Sequence, residues 1–220
     1  MPQPKTAVSR LREKQSTSRD ALYALLDSTP LATVAFVRDG HPMALPIGFA
    51  RIDDELVIHG STGSPFLRDL AAGAPAAASV TTLEGVVVAR SGFESSFRYR
   101  SAVIYGPFTP VSGGAKTRYV ETLTETFIPG RVAEMRPSTK RELAATRVLR
   151  LAITDDNWSL KISDGWPEDP EEDIAAGTWA GVVPIETTYG PPLRAPDCPE
   201  SIPVPESVRG LSGPVVNRRR

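Results

Sequence analysis

Leu31-Ala32-Thr33-Val34-Ala35-Phe36-Val37-Arg38-Asp39-Gly40-His41-Pro42, continued by Met43-Ala44-Leu45-Pro46-Ile47-Gly48-Phe49-Ala50-Arg51-Ile52-Asp53-Asp54-Glu55-Leu56-Val57-Ile58-His59, is the stretch that decides the fold. Its first run is apolar and rich in residues that favour strands. Asp39-Gly40 is a strong signal for a two-residue hairpin turn. The chain then returns through 42–52, turns again at Asp53-Asp54 and runs back through 55–59. Three short strands joined by tight turns form an antiparallel meander.

Working outward, Ser18 is a candidate N-cap for a helix whose apolar face is Leu22, Leu25 and Leu26. Downstream, Gly60-Ser61-Thr62-Gly63-Ser64 is a polar loop, and Pro65 suits the first position of a helix over 66–72. Strands are expected over 76–80, 85–90 and 97–111. A helix over 114–127 follows, with Tyr119, Leu123 and Phe127 four residues apart. A further helix is expected over 139–146, and strands over 148–154, 159–163 and 181–185. Strands and helices do not alternate, which argues against a doubly wound parallel sheet. The expectation is a mainly β protein: a small antiparallel barrel with peripheral helices. The acidic run 168–173 reads as a solvated loop.

Composition sets bounds on function. The chain has 220 residues, with 40% apolar and 23% charged, enough for one ordinary core plus appendages. A net charge of -1 gives no field for nucleic acid. The single cysteine, Cys198, rules out an internal disulfide framework, and two histidines, His41 and His59, make multi-histidine zinc chemistry and any other metal centre unexpected. No apolar run approaches the roughly 18 residues that span a bilayer, and the first residues lack a secretory apolar region. Neither a membrane nor a nucleic acid is therefore expected as a partner, and the expected compartment is the cytoplasm. Seven of the 21 prolines lie in 190–220. The expected organisation is a basic flexible arm over 1–17, a barrel domain over 18–186 and a proline-rich extension over 187–220 ending in Arg218-Arg219-Arg220.

Three segments carry chemistry. His59 and the loop through Ser61, Thr62 and Ser64 lie between a strand and a helix start, where N–H groups, hydroxyls and the helix dipole suit a phosphate. Arg68, one turn on, can add charge. The loop lacks the lysine and the glycine spacing of triphosphate and dinucleotide motifs. An ordinary capped loop is the alternative, and His59 reads either as a structural histidine or as a ligand contact. Arg98 and Arg100 share one strand face, and Tyr99, Arg100 and Ser101 together suit a planar anion or, equally, an exposed face with paired charges. Pro46 removes a ladder donor, as at a strand edge, and Gly48 lets a flat ligand approach the backbone. No catalytic triad is identifiable, and no catalytic acid or base stands out.

Taken in order, these stretches resemble the pyridoxamine 5′-phosphate oxidase-like flavin-nucleotide-binding proteins, including the nitroimidazole-resistance branch. The matching residues are 31–37 with Asp39-Gly40-His41-Pro42, then Leu45-Pro46-Ile47-Gly48-Phe49 and 56–64. They continue with 86–91, Tyr99 to Gly106, Pro129-Gly130-Arg131 and Trp179 to Pro184. The resemblance covers about 18–186 and implies an FMN-binding split β-barrel working as a homodimer. It implies FMN, with FAD or a deazaflavin as alternatives, in a groove between subunits. Pro46 and Ile47 would line the flavin ring; His59, Ser61, Thr62 and Ser64 would hold its phosphate with Arg68. Tyr99, Arg100, Ser101 and Trp179 would complete the site. Two departures stand out: Pro65 and Phe66 where many members have a basic residue, and Glu94-Ser95-Ser96 where close relatives carry His-His-Ser. The implied function is a flavin-dependent oxidoreductase acting on a small molecule; a non-catalytic ligand-binding module on the same barrel is the other reading.

Overall fold

A computed structural model describes residues 12–214. Most of the basic arm and the terminal arginines lie outside the described residues. Of the arm, Arg12–Lys14 form a single turn and Gln15–Ser16 form strand β1. Helix α1, Arg19–Ser28, starts where expected, with the Ser18 hydroxyl accepting from the Ala21 N–H at 3.2 Å. Strands β2 (Leu31–Arg38), β3 (His41–Ile52) and β4 (Glu55–Ser61) are the expected meander, and Asp39, Gly40 and Asp53 have the positive φ that its tight turns demand.

Helix α2, Pro65–Ala71, is followed by β5 (Pro75–Val88), β6 (Ser96–Pro107) and β7 (Thr109–Val111). The two strands expected over 76–90 are one. A bulge between Leu83 and Gly85 lets it bend without breaking its pairing to β6. The expected strand over 97–111 is instead two, broken at Phe108. After these come α3 (Ala115–Phe127), α4 (Lys140–Ala145), β8 (Thr146–Ala152) and β9 (Trp158–Ser163). Thr139 and Glu142 form a reciprocal capping box at the start of α4. The remainder is α5 (Glu171–Ala175), β10 (Gly181–Pro184), β11 (Thr188–Tyr189), α6 (Glu206–Arg209) and β12 (Gly213–Pro214). α5 and α6 were not expected. The acidic run is correspondingly not all solvated loop: its last residues are helical, and the Asp169 side chain is buried against Arg90.

Ten of the described strands form one antiparallel sheet in the order β1-β9-β6-β5-β2-β3-β4-β8-β7, with β10 on the far part of β5, and β11 pairs with β12 apart from it. β6 and β7 are nearly continuous in the chain yet stand on opposite sides of this path. β6 pairs with β5 and β9, while β7 pairs with β8. The bend between them therefore closes the sheet into a barrel. It falls at Phe108, two residues after Gly106, whose φ is 148° and where an added Cβ would stand 3.0 Å from Leu151 Cδ1. Asn157 reinforces the closure, its amide donating to Tyr105 O and Ala152 O, both at 2.8 Å.

Alternation fills the barrel. Val34, Phe36, Leu56, Ile58, Ala78, Ala102, Ile104, Leu149 and Leu151 point inward. Leu22, Leu25 and Leu26 of α1 are buried in the same core, each contributing about 2 kcal/mol. On the outside of β3, β4 and β8, Ala50, Ile52, Val57 and Val148 pack with Tyr119 and Leu123 of α3. No helix among the described residues is long and apolar enough to cross a membrane.

Candidate functional site

β3 changes partner along its length. Residues 41–48 pair with β2, whereas only 49–52 pair with β4. β4 meanwhile continues through His59, Gly60 and Ser61, paired with β8 alone. The barrel wall is thus split between 42–48 and 59–61, and the free edge of β3 turns backbone groups toward the split. Pro42 and Pro46 have no N–H to offer another strand, which blunts the edge. Pro46 is exposed; Ile47 is half-buried and packs on the core. At Gly48 an added Cβ would meet Phe127 Cζ of α3 at 3.5 Å.

His59 sits at the mouth of this split. Alternation places it on the side of Val57 and of Val148, its direct partner on β8. Its Nδ1 is buried without a hydrogen-bond partner. Burial holds the imidazole pKa below its ordinary range, so the ring is neutral at pH 7.

The Gly/Ser/Thr loop commits more of its donors internally than its composition suggests. Thr62 N–H donates to Ala145 O, Gly63 N–H to Ser61 Oγ and Ser64 N–H to Ser61 O. Ser64 Oγ accepts from Leu67 N–H as the cap of α2. The turn is too tight to leave these N–H groups pointing outward. Cationic donors near the loop are exposed Arg68 and Arg147 of β8. Arg147 stands opposite Gly60, with Nη1 3.4 Å from Leu67 O. Sequence reasoning missed Arg147, because only the β4–β8 register brings it beside the loop.

The remaining candidates lie elsewhere in the chain. Tyr99, Arg100 and Ser101 are on β6, separated from β3 by β2 and β5. Ser101 Oγ is 2.9 Å from Thr81 Oγ1. Arg100 shares the inward side with Ala102 and Ile104, and its Nε donates to Glu84. Arg98, on the same side, donates to Gly165 O at 3.0 Å and stacks over Trp166 at 4.8 Å. Trp179 is 66% exposed and packs over Gly181, which pairs with Val88. One chain therefore gathers Pro46, Ile47, His59, Ser61, Thr62, Ser64 and Arg68 around the split, and holds Tyr99, Arg100, Ser101 and Trp179 apart from them.

Among the described residues, no helix packs on the outer face of the sheet between these two groups. Ala44, Ala35, Ala77 and Tyr105 lie in one row across β3, β2, β5 and β6. Together with Val37 and Pro42 they line an open, apolar concavity of about 630 Å³. No group of three or more His, Cys, Asp or Glu among the described residues is placed to hold a metal ion.

No curated protein matches the chain. Among solved structures, the FAD and heme binding protein from Mycobacterium smegmatis is 67% identical, with a TM-score of 0.90 over 92% of this chain and 98% of that one. The flavocytochrome Anf3 from Azotobacter vinelandii is 31% identical, with a TM-score of 0.88 over 96% of this chain and 97% of that one. A 5-nitroimidazole antibiotic resistance protein from Bacteroides thetaiotaomicron is 12% identical over 67% of this chain and 86% of that one, with a TM-score of 0.57, and shares the fold. The model of the pyridoxamine 5′-phosphate oxidase family matches residues 18–157. That span runs from the cap of α1 to the asparagine that pins the closed barrel, and the chain belongs to this family.

Proposed function

We propose that this chain is a flavin-nucleotide-binding redox protein that also carries heme, acting as a homodimer with the flavin between subunits. The observation that carries the reading is its 67% identity, over 92% of its length, to a protein that binds FAD and heme. FAD is accordingly the flavin proposed, in place of the FMN expected from sequence. The residues fit a flavin. The free edge of β3 beside Pro46, Ile47 and Gly48 suits the hydrogen-bonding edge of a flat ring, and Thr62, Arg68 and Arg147 suit phosphate oxygens. In the dimer, Tyr99 and Ser101 of one copy approach the split of the other across the uncovered face. That arrangement accounts for candidates which a single chain holds apart.

When bound, the flavin supplies the electron transfer and the protein supplies position and exclusion of water. Among the described residues, no carboxylate stands at the split, and the neutral His59 has its Nδ1 buried. The chain's own contribution is therefore to bind and orient. The test is to purify the protein, record its visible spectrum and identify the released flavin by chromatography. A flavin band together with a Soret band is expected, and FAD in the extract. A colourless protein that takes up neither added flavin nor hemin overturns the reading.

A further inference from the structure

We propose that Lys161 of one copy faces the flavin ring held by the other copy, as the cation that balances the charge of the reduced ring. The assignment rests on the flavin and dimer parts of the function proposed above and goes beyond them by naming the residue and its target. Two-electron reduction with one added proton leaves a negative charge on the N1–C2=O edge of a flavin ring, and a cation beside that edge makes the reduction easier. At the phosphate end, the chain that holds the flavin offers Arg68 and Arg147. Along the ring-lining edge, residues 42–48 include no charged side chain, so a cation at the ring must come from elsewhere.

Sequence reasoning expects Arg100 to be that cation, beside Tyr99 and Ser101. The register turns Arg100 inward with Ala102, where its Nε donates to Glu84. Lys161 of β9 occupies the opposite side. It is the direct ladder partner of Ser101, and Ser101 is in turn paired with Thr81, its hydroxyl 2.9 Å from that of Thr81. The flanking residues Leu160 and Ile162 pair with Ala102 and Arg100 and pack into the core. Alternation therefore puts Lys161 on the outer face with Ser101, about 5 Å away across the ladder. Among the described residues of β2, β3, β5, β6 and β9, the other side chains on this face are uncharged, including Thr33, Ser79, Thr81, Tyr99 and Ser159. Lys161 is half-buried, and no carboxylate among the described residues pairs with it. A half-buried cation on an otherwise neutral face lacks the counter-charge that such burial calls for. Its flexible four-carbon stem carries the ammonium further from the sheet than the Ser101 hydroxyl, so a ring that Ser101 approaches lies within its reach.

The experiment measures the midpoint potential of the bound flavin, by dithionite titration against reference dyes, in flavin-loaded wild type, Lys161→Gln and Lys161→Arg, together with the dissociation constants of oxidised and reduced FAD. Lys161→Gln is expected to stay dimeric by light scattering and to bind oxidised FAD as wild type does. Its midpoint potential is expected to fall, with reduced FAD bound roughly tenfold more weakly. Lys161→Arg is expected to keep the wild-type potential. A mixed dimer pairs Lys161→Gln with a chain carrying Arg68→Glu and Arg147→Glu, whose own split is expected to hold no flavin. It is expected to titrate at the wild-type potential, because the second chain supplies the lysine. Titration of this dimer at the Lys161→Gln potential places the lysine beside its own chain's flavin and overturns the assignment. An unchanged potential in Lys161→Gln overturns it too, as does equal weakening of oxidised and reduced FAD, which marks a phosphate contact or a folding defect. Wild type that holds no flavin, or holds it as a monomer, overturns the function proposed above instead.

Discussion

Gly106 shows what a single residue does in this fold. Its φ is 148°, two residues before β6 gives way to β7, and Leu151 fills the space that a Cβ would need. Gly106→Ala is expected to destabilise the protein by about 1–3 kcal/mol in chemical denaturation. Unchanged stability would show that the barrel closes without this bend. In the sequence, Gly106 is an unremarkable glycine inside an apolar run, because nothing local says that the chain leaves β5 after Pro107 and pairs with β8 from Thr109. His59 is the reverse case. Its place at a strand end before a polar loop is legible, but its buried, unpartnered nitrogen is a property of packing. Arg100 marks the limit of pattern reading: alternation puts it correctly on the same side as Arg98, yet only the β5 bulge brings Glu84 to its guanidinium.

At the scale of elements, the segment from Asp164 to Ala180 is fastened across β5 and β6 by two arginines. Asp169, with its side chain 1% exposed, accepts from the Arg90 N–H at 2.8 Å and from its guanidinium at 2.9 Å. Arg98 holds Gly165 O and the face of Trp166. Asp169→Ala leaves a half-buried guanidinium and a backbone N–H without their acceptor. A loss of about 3 kcal/mol is expected from urea denaturation, with faster proteolysis within 164–180. A loss below about 1 kcal/mol would place Asp169 among ordinary surface pairs. The longer helices and most strands are readable from caps, turns and apolar spacing, as at Ser18 and Asp39-Gly40. The acidic run was misread because burial of one of its carboxylates depends on an arginine 79 residues away.

For the whole molecule, the decisive feature is an apolar face left without a helix over β2, β3, β5 and β6. In the proposed dimer this face is covered by a second copy. Ala35→Glu, in the middle of the alanine row, is expected to give a monomer by light scattering, with an unchanged circular dichroism spectrum and reduced flavin content. A dimer of unchanged stability would rule this face out as the interface. By itself, the sequence determined the antiparallel meander, the mainly β class with outer helices and the position of the split-lining loop. These depend on local signals, namely alternation, turn residues and caps, which act within a few residues. Only the tertiary structure decided the closure between β6 and β7, the placing of Arg147 beside the loop and the separation of Tyr99, Arg100 and Ser101 from Pro46 and Ile47. These depend on strand order and register, which long-range packing sets and which no local pattern encodes.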